Sequence, residues 1–282
     1  MTKIPKALGG DLMTIKALFL DLDGTLLTSA KAISPTTLGA LRQCRQSGIK
    51  VFVATARGST VPRQLRLTPE EAEVLADGGI FHNGGCVCFG SSRYYTTMQQ
   101  SSAERALEIV LSHPKTNLSI QLPGDRHSFR HELPTETYEL WGIDRDNLVA
   151  FEGLTYDEVV KIVVFSPAEL LPGMYSRLVA ADDVEANVYL SGGDDFRSID
   201  IVARAVNKKL AIDRLIELCG LRPDEVAVFG DSHNDVEMLA GFEHSVAMGN
   251  GCAEAKAAAR YIAPANDEDG ICYALREVFG LI

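Results

Sequence analysis

No run of about 18 apolar residues occurs in the 282-residue chain, so nothing in it reads as a membrane span. The opening MTKIPKALGGDLMT lacks the apolar core of a secretory signal. Basic charge is scarce: 27 Lys and Arg stand against 38 Asp and Glu, a net charge of −11. With no basic stripe to follow a phosphate backbone, a nucleic-acid partner is not expected. The six cysteines at 44, 86, 88, 219, 252 and 272 form no C-x-x-C pair. Free thiols in a reducing, cytoplasmic setting are the expectation. Cys86 and Cys88 read as strand residues facing opposite ways, which argues against a shared metal. No internal repeat or low-complexity tract appears.

What the chain does have is core material, 46% apolar residues against 23% charged. Apolar runs at 15–20 (IKALFL), 49–54 (IKVFVA), 78–82 (GGIFH) and 226–231 (VAVFGD) read as strands. Between the first two, Ser34-Pro35 offers an N-cap and a first-turn proline, and Gly48 a stop. Asn207 is placed to cap a helix running to Cys219. Strands with continuous apolar runs alternating with helices indicate a parallel sheet covered by helices. The middle of the chain differs. Short strands are expected at 86–89, 93–96, 117–122, 161–165, 184–190 and 197–202, with helices near 102–112 and 168–181. Turn residues cluster at Pro123-Gly124 and Gly192-Gly193. Between 85 and 203, nine Lys and Arg stand against eighteen Asp and Glu, so most of the negative charge lies there. The expected organisation is a Rossmann-like α/β core, residues 1–84 and 204–282, with an inserted α+β domain at 85–203.

In open α/β sheets, ligands bind beyond the carboxyl ends of the strands. After the first strand comes Asp21-Leu22-Asp23-Gly24-Thr25. After the second comes Thr55-Ala56-Arg57. After the late strand comes Gly230-Asp231-Ser232-His233-Asn234-Asp235, and Lys208 stands at a helix start. Each alone has a bland explanation as a solvated carboxylate, a cap or a surface lysine. An EF-hand loop from Asp21 fails, because its glycine and glutamate positions hold Leu26 and Ala32. His127 and His131 lie between turn residues and read as surface groups, His233 as solvent-facing, and Trp141 as core of the insert.

DLDGTLL, the Thr of VATAR, VNK and GDSHNDVEML together resemble the four motifs of the haloacid dehalogenase superfamily. The large insert, with HNGG at 82–85 and AMGN at 247–250, resembles the C2 cap and the Cof-type sugar-phosphate phosphatases of that superfamily. The likeness covers nearly the whole chain after residue 14. Ala56 before Arg57, Lys209 after Lys208 and Gly251 after MGN depart from the pattern without removing a catalytic group. The VNK register favours Lys208 over Lys209.

The resemblance implies a Mg²⁺-dependent phosphatase acting on small phosphorylated metabolites, sugar phosphates above all, through an aspartyl-phosphate. Asp21 is then the nucleophile and a metal ligand. Asp23 handles the proton and offers its carbonyl to the metal. Asp231 is a ligand, and Asp235 either a further ligand or the group that orients a metal-bound water. Thr55, Lys208 and Asn234 are expected on the phosphate, with Arg57 and Asn83 as substrate or loop contacts. Dehalogenase relatives lack the second Asp, so Asp23 favours phosphoryl transfer. Two other readings stand beside this one, a sugar-phosphate phosphotransferase or mutase and a non-catalytic phosphometabolite-binding protein. No oligomeric surface is legible in the sequence.

Overall fold

A computed structural model describes residues 15–181, 184–190 and 196–282. The turn expected at Gly192-Gly193 and the opening stretch 1–14 lie outside the described residues. Among the described residues, five strands precede the first long helix of the insert: β1 (Ala17–Leu20), β2 (Lys50–Ala54), β3 (Gly78–Phe81), β4 (Cys86–Phe89) and β5 (Ser92–Tyr95). Five more follow: β6 (Asn117–Leu122), β7 (Arg126–Phe129), β8 (Lys161–Pro167), β9 (Val184–Leu190) and β10 (Phe196–Ala203). The last three are β11 (Val226–Gly230), β12 (His244–Ala247) and β13 (Tyr261–Ile262).

The chain divides into two compact units. One comprises the chain up to Ala56, Leu65–Arg93 and Asn207–Ile282; the other comprises Arg57–Gln64 and Tyr94–Val206. These borders differ from the expected 84/85 and 203/204. Cys86–Phe89 pairs antiparallel with Gly78–Phe81 and so extends the first unit's sheet. A short helix, Val61–Gln64, goes with the second unit.

The first unit is built on a sheet of order β13-β12-β11-β1-β2-β3-β4-β5. Pairing is parallel from β13 through β3. Strands β1 and β11 are buried along their whole length, as two-sided burial of a parallel sheet requires. β1 lies between β2 and β11, so the chain leaves it in opposite directions on its two sides. That switch point opens a crevice at the carboxyl ends of β1 and β11. Local signals set the helices that cover the sheet. The Ser34 side chain caps Pro35–Gln46 by accepting the Thr37 N–H at 3.1 Å, and Asn207 caps Lys208–Leu218 by accepting the Leu210 N–H at 2.8 Å. Cys86 and Cys88 do not face apart. Residues two apart on a strand share a face, and their Sγ atoms lie 3.6 Å from each other.

The second unit holds an antiparallel sheet of order β7-β6-β8-β10-β9. Leu118, Ile120, Ile162, Val164, Ile199 and Ile201 point to one face, where they pack with helices Gln100–Leu111 and Leu171–Val179. The alternate residues carry Ser119, His127, Lys161, Phe165 and Asp200 to the other face. There Trp141 stacks on Phe165 with ring centroids 5.2 Å apart. His127 is buried on β7, not at the surface, because the strand rather than a turn claims residues 126–129. Burial drives its imidazole down to a pKa of about 4.

Lys161 and Asp200 form a buried ion pair on that second face. Removing one partner strands the other charge, so Lys161→Met should cost roughly 3–5 kcal/mol. Adding Asp200→Asn should recover much of it, read as urea midpoints of the two variants. Equal midpoints for wild type and Lys161→Met would show that the pair contributes nothing.

Candidate active site

Five loops meet at the carboxyl edge of the first unit's sheet. The strand ends fix them. Leu20 is in register with both Val53 and Phe229, and Gly230 with Ala247. Asp21 leaves β1 with its N–H on the Phe229 carbonyl at 3.0 Å, so its side chain starts from a pinned backbone. It is only 5% exposed.

The Lys208 ammonium sits between two carboxylates, 2.6 Å from Asp21 Oδ1 and 2.5 Å from Asp235 Oδ1. Lys209 points elsewhere, to Asp213 at 2.5 Å and to the ring of Phe242. Asp235 uses its second oxygen as well. Oδ2 accepts the backbone N–H groups of Asp231 and Ser232, both at 2.9 Å. Asp235 is thus a brace, tying the turn after β11 to the lysine, and both its oxygens are engaged. Asp231 Oδ1 accepts the Thr25 hydroxyl at 2.8 Å, which joins the first and last motifs directly.

Gly24 makes that junction possible. Its φ is +87°, and a Cβ there would lie 2.4 Å from Asp231 Oδ2. The loop is held from outside too. Asn250 donates to the Gly24 carbonyl at 2.8 Å and accepts the Asn266 N–H at 3.0 Å, while the Asn266 amide reaches the Leu27 carbonyl at 2.8 Å. Thr25, Asn250 and Asn266 were not singled out from the sequence. Only the neighbouring DLDGT and AMGN motifs pointed at the first two.

Thr55 is buried at the end of β2, its carbonyl accepting the Asn83 N–H at 3.0 Å. Asn83 adopts φ 59° and accepts the Asn234 amide at 2.9 Å, so two of the expected substrate contacts form one side-chain bridge. Asp23 lies further out and pairs with Lys31 at 2.8 Å. Arg57 falls in the second unit.

Burial and mutual interaction shift the ionisable groups of the site. Burial is the largest influence on Asp21 and lifts its pKa well above the usual carboxylate range. Lys208 pulls it down, and Asp235 and Asp231 push it further up. Asp231 rises to about 6, chiefly through burial, against the pull of the Thr25 hydrogen bond. Burial pushes the Lys208 ammonium down, but Asp21 and Asp235 outweigh it and hold its pKa above the ordinary lysine value. Three carboxylates around one ammonium leave an excess of negative charge. Asp21, Asp231 and Asp235 each bring a carboxylate oxygen within 4.8 Å of the others. An all-oxygen, anionic donor set of this kind fits a hard divalent cation such as Mg²⁺.

Comparison with known proteins agrees with the geometry. The family model of haloacid dehalogenase-like hydrolases matches residues 18–275. Among curated relatives, the 5-amino-6-(5-phospho-D-ribitylamino)uracil phosphatase YitU of Bacillus subtilis is 28% identical over 93% of this chain and 97% of its own. The phosphatase YbjI of Escherichia coli, named for the same substrate, is 27% identical over 92% of this chain and 94% of its own. Among solved structures, the HAD subclass IIB sugar phosphatase BT4131 superposes with a TM-score of 0.75 at 27% identity, covering 95% of this chain and all of that one. Among the described residues, no helix is long and apolar enough to cross a membrane. The chain therefore belongs to the haloacid dehalogenase-like hydrolases and is a phosphatase of that superfamily.

Proposed function

We propose that this phosphatase hydrolyses small phosphorylated metabolites with Mg²⁺, through an aspartyl-phosphate on Asp21. Its substrates are sugar phosphates and related polyol phosphates, the ribitylaminouracil phosphate of its relatives included. The observation that carries this reading is the buried Asp21 carboxylate, held at 2.6 Å by Lys208 beside Asp231. Asp21 and Asp231 would hold the cation, with the Asp23 carbonyl. Bound there, it offsets the repulsion between a carboxylate nucleophile and a phosphate dianion.

The side chains divide the remaining work. Asp21 attacks phosphorus, splitting one hard displacement into two. Lys208 carries positive charge to the transferring group, and Asp235 keeps that ammonium in place. Asp23 protonates the leaving alkoxide and later takes a proton from the attacking water. Thr55 and Asn234 donate to phosphate oxygens, and the Asn83 bridge orients the Asn234 amide. Arg57 is a further substrate contact.

The test is phosphate release from a panel of phosphorylated metabolites, with and without Mg²⁺, across pH. Metal-dependent release is expected. A mutase would interconvert isomers with little free phosphate, and no turnover on any member of the panel would sink the proposal. Asp231 with a pKa near 6 binds a proton below that pH and its cation above it. Asp21, also raised by burial, must lose a proton for the cation as well, so the apparent Mg²⁺ affinity should fall at least about tenfold per pH unit well below 6. Metal-free stability runs the other way. A raised carboxylate pKa means the folded state holds the proton more tightly, so Asp231's contribution grows as pH falls from about 6 toward its ordinary value.

A further inference from the structure

A second cluster of ligating side chains stands outside the catalytic carboxylates. His233, set aside from the sequence as a solvent-facing group, lies in the turn between Asp231 and Asp235. Its Nε2 is 3.5 Å from Glu254 Oε2. Cys252 caps the helix Ala253–Ala258, and its Sγ accepts the Ala255 N–H at 3.4 Å. One ligand atom from each of His233, Cys252 and Glu254 lies within 4.8 Å of the other two.

These groups come from two segments locked to each other. The Cys252 N–H donates to the Asp231 carbonyl at 2.8 Å, which fixes the helix start against the turn carrying His233. Behind that bond, helix Val236–Gly241 packs on helix Ala253–Ala258. The backbones are held, and only the exposed ends of His233 and Glu254 and the half-buried Cys252 thiol remain to adjust. A tetrahedral zinc ion with bonds of about 2.0–2.3 Å needs ligand atoms roughly 3.3–3.8 Å apart. Closing that difference takes rotations of the exposed His233 and Glu254 side chains.

The chemistry of this donor set differs from that of the aspartates. Nitrogen, sulfur and a single carboxylate select a borderline cation, whereas Mg²⁺ takes oxygen. We propose that His233, Cys252 and Glu254 form a Zn²⁺ site with one open position, distinct from the carboxylate site of Asp21 and Asp231. The two sites share the 231–235 turn, so the chain presents a hard and a borderline cation site on one loop.

Cobalt is the probe, because thiolate-bound Co²⁺ gives an intense near-ultraviolet charge-transfer band that oxygen-bound Co²⁺ lacks. Reduced full-length protein, with its carboxylate site saturated by Mg²⁺, is titrated with Co²⁺ and then with Zn²⁺. The expected result is a band saturating at one equivalent and bleached by Zn²⁺. Cys252→Ser should abolish the band while keeping the helix cap, since serine is a good N-cap residue. His233→Ala and Glu254→Gln should each weaken Zn²⁺ at least tenfold in competition with a chromophoric chelator. The proposal is overturned if wild type gives no thiolate band, if the band persists in Cys252→Ser, or if all variants bind Zn²⁺ equally. The readout is metal binding, not hydrolysis, so it stands or falls apart from the proposed catalytic roles.

Discussion

Asp21→Asn should abolish hydrolysis, lowering kcat by at least about 10⁴-fold, and no phosphoryl group should become attached to the protein. The amide is nearly isosteric with the carboxylate, so the fold should survive. Burial raises the Asp21 pKa and Lys208 lowers it, so an uncharged side chain relieves desolvation while losing one charged hydrogen bond. Asp23→Asn should fail differently. Asp23 is half-exposed and paired with Lys31 at 2.8 Å, outside the buried cluster. Its expected work is proton transfer, worth about 10²–10⁴-fold. That loss should scale with the leaving group. A nitrophenyl ester, whose phenolate departs without a proton, should lose little in the phosphorylation step, while alkyl and sugar phosphates lose most. Phosphoenzyme should still form from the aryl ester in Asp23→Asn and then hydrolyse slowly. Equal phosphoenzyme formation in both variants, or equal sensitivity to the leaving group, would contradict this division of labour.

The sequence was most informative where a local pattern decides a local structure. Apolar runs placed β1, β2, β3 and β11, and the caps at Ser34 and Asn207 were legible because one side chain answers one backbone N–H. The loops that follow those strands were legible for the same reason, since a strand's carboxyl end fixes where its next residue stands. Pairing across the chain was less legible. The sequence pattern puts Cys86–Phe89 in the insert, whereas its antiparallel register with Gly78–Phe81 joins it to the first unit's sheet. Pro123 and Pro134 flank strand β7 and give its sequence the look of a turn region, yet antiparallel pairing with β6 buries His127. CAEAKAAARY, rich in alanine, reads as one helix; the helix stops at Ala258, because Tyr261–Ile262 joins the sheet edge beside β12. The Thr25–Asp231 bond and the Asn83–Asn234 bridge span 206 and 151 residues, and no local pattern announces such partners.

Lys208→Met should be the most destabilising substitution in the first unit. The ammonium is fully buried and bridges Asp21 and Asp235, themselves buried. Without it, two carboxylates face each other in a low-dielectric site with no cation between them. Breaking a buried pair in this way costs roughly 3–5 kcal/mol, to be read from urea midpoints in the absence of metal. Two further measurements separate this cause from simple loss of packing. Asp235→Asn in the Lys208→Met background should restore part of the loss, because the amide keeps a carbonyl oxygen for the backbone N–H groups of Asp231 and Ser232 and turns an NH₂ toward Asp21. In addition, Mg²⁺ should raise the melting temperature of Lys208→Met more than that of wild type, since the cation then meets a more negative site. Activity of the folded variant, measured well below its melting temperature, should fall by roughly 10²–10³-fold in kcat. Lys209→Met makes the contrast. Its partner Asp213 is one turn away on the same helix and partly exposed, so its loss should cost under about 1 kcal/mol and leave kcat in place. Equal stabilities of the two methionine variants, with equal responses to Mg²⁺, would remove Lys208 from the centre of the site.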